Sequence, residues 1–82
     1  MYTQGWSKLR LDKFLKQNKI IKRRILAKEA IEKGFISRNG IQAKPSSEVK
    51  PGDTISIRFS NRTLVVKVLE GFEIEILKEI KE

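Results

Sequence analysis

The chain has 82 residues, with 18 Lys or Arg against 10 Asp or Glu, a formal net charge of +8, an apolar fraction of 39%, and neither cysteine nor histidine. A single domain of this size buries only about 60% of the surface its unfolded chain exposes, which argues against a deep catalytic cleft. Without cysteine there is no disulfide framework or thiolate metal site, and without histidine the commonest acid–base group and metal ligand is missing, so the reading is a protein with no cofactor and no metal.

From the start, MYTQGWSKLR lacks the apolar stretch of a secretory signal, and no later run approaches the roughly 20 apolar residues that span a bilayer. A cytoplasmic protein without a membrane segment is the expectation. Ser7 is placed to cap a first helix running from Lys8 to Gln17, in which Leu11, Phe14 and Leu15 follow helical spacing toward a core. "NKIIK" then reads as a short connector with buried isoleucines. A second helix is expected over Lys22–Lys33, with Leu26, Ala27, Ala30 and Ile31 clustered on one side and Gly34 just past its end. Arg24 and Lys28, four residues apart, share a side next to that apolar stripe.

Strands follow. Phe35–Arg38 and Ile41–Lys44 flank Asn39-Gly40, a strong hairpin signal because both corner residues must take positive φ. "KPSSEVKPGD" is a loop whose Pro51-Gly52 suits the centre of a turn. Thr54–Phe59 alternates Ile55, Ile57 and Phe59 with polar residues, as a half-buried strand does, "SNRT" turns, and Leu64–Leu69 is the next strand. The tail reads two ways: Phe72, Ile74 and Ile76 alternate as in an edge strand that frays into a charged end, and "ILKEIKE" would also serve as a helical turn.

The charge is unevenly placed. Residues 1–50 hold 13 basic and 4 acidic residues, a net of +9, whereas residues 51–82 hold 5 and 6, a net of −1. A basic half beside a neutral one is the footprint of polyanion binding. Lys22, Arg23 and Arg24 open the second helix, where positive charge opposes the helix dipole. A local electrostatic cost without a local gain points to an external anion. The serines have no partner base, and the scattered single glycines form no phosphate-binding loop. A non-catalytic binding protein is the reading; a module for an acidic protein partner and a small DNA-binding protein are the alternatives.

The order "RLDKFLK" at 10–16, "KRRILAKEA" at 22–30, "GFISRNG" at 34–40 and "KPSSEVKPGD" at 44–53, with short spacers, closely resembles the S4 domain, a small RNA-binding module. The resemblance spans about residues 9–59. It implies an α+β fold in which two N-terminal helices pack on a small twisted antiparallel or mixed sheet, with the helix pair and adjacent hairpin forming the RNA-binding face. On that basis residues 1–8 are an N-terminal extension, 9–70 the RNA-binding domain and 71–82 a strand or helical tail. The motif residues carry over onto Arg10, Asp12, Arg23, Arg24, Gly34, Asn39, Gly40, Lys44, Gly52 and Asp53. Arg10, Arg23 and Arg24 would touch phosphate and sugar, Asp12 would orient a neighbouring arginine, and the glycines and Asp53 would serve turns. With Lys13, Lys16, Lys22, Lys28 and Arg38 these give the expected RNA-binding set: Arg10, Lys13, Lys16, Lys22, Arg23, Arg24, Lys28, Arg38, Asn39 and Lys44. Arg38 departs from the family pattern, which has an apolar residue before Asn-Gly.

Nothing remains of the chain to form an appended enzyme. The similarity is greatest to free-standing members that recognise large ribosomal subunits still holding peptidyl-tRNA. It implies ribosomal RNA and tRNA as partners, a monomer, and a role beside a protein that adds C-terminal alanine to a stalled nascent chain. A general rRNA- or tRNA-binding protein in ribosome assembly or RNA modification is the alternative within the family.

Overall fold

A computed structural model of the protein describes residues 8–81; the Ser7 cap and the aromatic residues Tyr2 and Trp6 lie outside the described residues. The elements are β1 (Leu9–Arg10), α1 (Leu11–Gln17), α2 (Arg24–Glu32), β2 (Ile36–Arg38), β3 (Ile41–Gln42), β4 (Glu48–Val49), β5 (Thr54–Arg58), β6 (Arg62–Val68), a 3₁₀ turn (Glu70–Phe72) and β7 (Ile74–Lys81). Five strands share one sheet in the order β3-β2-β5-β6-β7, while β1 and β4 form a separate pair. Every pairing is antiparallel, so the sheet is not mixed.

Helix α1 begins at Leu11, three residues later than the expected Lys8. Leu9 and Arg10 are instead extended and pair with Val49 and Glu48. The first helical amide, that of Leu11, donates to the Ser47 carbonyl at 2.9 Å. A long-range strand pair thus claims residues whose local spacing reads as helix. The helix ends on a Schellman motif with a non-glycine residue in the left-handed position, Lys19 at φ 59°. Its two bonds run from the Lys19 N–H to the Lys16 carbonyl and from the Ile20 N–H to the Leu15 carbonyl, both 3.0 Å. Ile20 and Ile21 after it are half-buried against the core, less deeply than expected.

Helix α2 starts at Arg24, two residues after the expected Lys22, because Arg23 stays extended at φ −123° and ψ 139°. It closes on a second Schellman motif, this time with Gly34 at φ 84°. There the Gly34 N–H reaches the Ile31 carbonyl at 3.1 Å and the Phe35 N–H reaches the Ala30 carbonyl at 3.0 Å. Ala27 and Ile31 are buried, but Leu26 is 48% exposed, a correction to its expected place in the apolar cluster. Helix α1 is the main cover of one stripe of α2, which leaves that flank open.

Asn39 and Gly40 take φ 53° and 83° and Arg38 faces Ile41, the two-residue hairpin expected from the sequence, though its strands are shorter than the expected Phe35–Arg38 and Ile41–Lys44. At Pro51-Gly52 the Asp53 N–H bonds the Lys50 carbonyl at 3.1 Å across a turn with Gly52 at φ 97°. Strand β5 ends at Arg58, so Phe59 belongs to the following turn, and β6 already begins at Arg62. Buried Ile55 and Ile57 of β5, with Leu64, Val66 and Val68 of β6, meet Leu11, Phe14, Leu15 and Ile31 of the helices. Each such side chain contributes about 1.5–3 kcal/mol by leaving water. The tail is the edge strand β7. Ile74 and Ile76 lie opposite Val68 and Val66, so the alternation holds through Ile76, which is nevertheless 60% exposed on this edge strand. The bulge between Val65 and Val66, which puts Lys78 opposite Val65, breaks it only beyond that point.

Candidate nucleic-acid interface

Asp12 sits in the first turn of α1 and is only 2% exposed. A lone carboxylate there would be strongly disfavoured by desolvation. Its Oδ2 instead accepts from Arg10 Nη2 at 3.1 Å and from Arg24 Nε at 3.3 Å, while Oδ1 accepts the Lys13 backbone N–H at 2.7 Å. The two arginine side chains are 50% and 49% exposed. Each spends one of five guanidinium N–H groups on the carboxylate and keeps others for solvent or an anion. One buried acid therefore gathers arginines from both ends of the 10–24 segment and fixes how they point.

A second buried acid does the same for the hairpin. Asp53 Oδ2 accepts from Arg38 Nε at 2.8 Å and from the Lys50 backbone N–H at 3.0 Å, and Oδ1 accepts from the Asn39 side-chain amide at 3.2 Å. Burial pushes the Asp53 carboxyl up, but the bond from Arg38, the Lys50 amide, the Asn39 amide and the charge on Arg38 more than offset it, so it lies below the ordinary value. The Asn39 side-chain oxygen in turn accepts the Thr54 N–H at 2.9 Å. Both ends of the Asn39 amide are thus spent on holding the hairpin against β5.

The two clusters are joined by β1 and β4. Arg10 lies opposite Glu48 in that pair, and beside it Lys8, Arg38, Glu48, Val49 and Lys50 line a cleft of about 280 Å³. Arg38 also lines a neighbouring cleft of about 210 Å³ with Asn39, Lys44 and Ser47. A basic surface therefore runs from Arg24 through Arg10 to Arg38 and Lys44. Lys28, one helical turn beyond Arg24, and Lys16, one turn beyond Asp12, are exposed and extend it along the two helices. Lys13 is exposed on α1. Lys22 and Arg23 are exposed ahead of α2, whose N-terminus has no side-chain cap and no acidic residue in its first turn.

Lys8 and Lys50 were not among the expected contacts. The pairing of β1 with β4 brings Lys8 beside Arg38, whereas Lys50 comes there because its backbone N–H and Arg38 Nε bond the same Asp53 oxygen. Arg62, by contrast, is bound to Glu79 at 2.8 Å and lies over the Phe59 ring at 4.9 Å, outside this cluster. Among the described residues no group of three or more Asp, Glu, His or Cys is placed to hold a metal ion, and no helix is long and apolar enough to cross a membrane.

The model of the S4 domain family matches residues 9–55. Among curated proteins, the "RQC P-site tRNA stabilizing factor" of Bacillus subtilis is 56% identical over 62 residues, 76% of this chain and 72% of that protein. The protein of the same name from Streptococcus pneumoniae is also 56% identical over 62 residues, covering 76% of this chain and 70% of that one. "Heat shock protein 15" of Escherichia coli is 41% identical over 63 residues, 74% of this chain and 47% of that protein. The solved trimeric structure of Vibrio cholerae Heat Shock Protein 15 superposes with a TM-score of 0.70 at 33% identity; the match takes in 77% of this chain and 64% of that one.

Proposed function

The chain belongs to the S4 domain family, and from that premise we propose that it is a non-catalytic RNA-binding factor of the large ribosomal subunit that holds tRNA there while a stalled nascent chain is processed. The observation that carries this reading is the pair of buried carboxylates, Asp12 and Asp53, which hold Arg10, Arg24 and Arg38 half-exposed along one surface. Guanidinium groups fixed in this way suit the fork geometry of phosphate better than free lysines do. The name of the relatives at 56% identity supports P-site tRNA as the bound RNA.

In this reading Arg10, Arg23 and Arg24 touch phosphate and sugar, and Arg38 continues the contact from the hairpin. Lys13, Lys16, Lys22, Lys28 and Lys44 add charge along the path, joined by Lys8 and Lys50. Asn39 acts by setting the hairpin rather than by reaching RNA. Residues 9–70 form the binding unit, and the segment from residue 71 on, which carries β7 (Ile74–Lys81), is its tail. The protein works as a cytoplasmic monomer on ribosomal RNA and tRNA together, beside a partner that tails the nascent chain with alanine.

The test is co-sedimentation with purified large subunits with and without tRNA in the P site. Binding is expected to be markedly tighter when the tRNA is present. Equal binding to both would overturn the tRNA-holding role and leave a general ribosomal RNA binder.

A further inference from the structure

Helix α2 has a second flank that the basic surface does not use. Leu26 and Ala30 each lie two residues beyond Arg24 and Lys28, roughly 160° around the helix from them. On that side opens an apolar groove of about 610 Å³, walled by Ile21, Ala30, Phe35, Ile57 and Phe59, with Arg58 and Ser60 as its polar lining. Phe35 is 45% exposed there, and its backbone is held by the bond to Ala30 that ends α2, so the wall is preformed. Leu26, exposed next to Ala30's turn, continues the apolar surface beyond the groove.

We propose that this groove binds a protein segment carrying two or more apolar side chains flanked by carboxylates, on the face of α2 opposite the RNA-binding surface. Three observations select that occupant. Arg58 is the single charged residue lining the groove and no carboxylate lines it, so the complementary flank is acidic. The chain's own residues 1–7 contain no carboxylate, so they do not supply that flank. A nucleobase could stack on Phe35 or Phe59, but its polar edges would then meet Ile21, Ala30 and Ile57, which offer no hydrogen bonds in exchange for lost water. Because the two faces are separate, RNA and this segment bind together. The inference stands apart from the RNA-binding reading.

The probe is a library of random dodecapeptides displayed on phage and selected on the full-length protein. Selected sequences are expected to pair two apolar residues with an adjacent Asp or Glu. Synthesised, they should shift the amide resonances of Ile21, Ala30, Phe35 and residues 57–60. They should bind Arg58→Glu about tenfold more weakly than Lys67→Glu, a difference of roughly 1.4 kcal/mol. Both residues are exposed and both exchanges lower net charge by the same two units, so the comparison removes bulk charge. Thermal melts confirm folding of both variants. Failure of any sequence to enrich, equal losses in the two variants, or displacement of the peptide by oligouridylate would each overturn the proposal, the last by assigning the groove to RNA bases.

Discussion

Exchanging Asp12 for Asn should weaken RNA binding even though it removes a negative charge from an RNA-facing surface and raises the net charge from +8 by one unit. If affinity followed charge alone, losing a carboxylate roughly 8 Å from a phosphate would tighten binding by about 0.5 kcal/mol in a water-like dielectric. Against that, Asp12 fixes two arginines at 3.1 and 3.3 Å. Without it, each must be ordered at the moment of binding, at about 0.5–1 kcal/mol apiece. The net expectation is a loss of about 0.5–1.5 kcal/mol, or roughly two- to twelvefold in Kd. Asn keeps the volume and one acceptor, so the variant should fold with a stability loss of about 1–2 kcal/mol. The assay is equilibrium binding to large-subunit RNA at fixed salt, with a thermal melt as the folding control. Unchanged or tighter binding by a folded Asp12→Asn protein would refute the claim that buried acids organise this surface.

Lys19→Gly should raise stability by a few tenths to about 1 kcal/mol in denaturant unfolding, because glycine relieves the left-handed φ of 59° at the end of α1; a loss of stability would mean that Lys19 makes a contact outweighing its backbone strain. Asp53 is held below its ordinary carboxylate range in the folded state, so it contributes stability that is fully present above the unfolded value of about 3.9 and is lost as pH falls through the lower folded value. Acid unfolding of Asp53→Asn should accordingly show a shallower pH slope below about pH 5 than the parent protein, and parallel slopes would contradict the role given to Arg38 and the Lys50 amide.

The turns were legible in the sequence because their chemistry is local. Asn39-Gly40 and Pro51-Gly52 demand particular φ values wherever they occur, and Gly34 ends α2 for the same reason. The basic residues of the helices were legible from spacing, and the role of Asp12 toward a neighbouring arginine from the family resemblance. What escaped was set at long range. Nothing near Leu9 foretells its pairing with Val49, which shortens α1 and brings Lys8 to Arg38. Arg38, out of place in the family pattern, is explained only by Asp53, fifteen residues on, arriving beside it. Leu26 has core spacing but nothing packs over its flank, and Ile76 keeps its place in the alternation of the tail opposite Val66 yet stays exposed on the edge strand.

The central claim is that RNA is held by located, organised arginines and not by net charge. The most direct test is the salt dependence of large-subunit binding for the parent protein, Arg24→Ala and Lys67→Ala. Each variant loses one positive charge, and Lys67 is an exposed residue of β6 outside the basic cluster. The account predicts that Arg24→Ala binds more weakly and lowers the slope of log K against log salt by about 0.7–0.9, one phosphate contact, while Lys67→Ala matches the parent. Equal losses of affinity and slope in the two folded variants would contradict it.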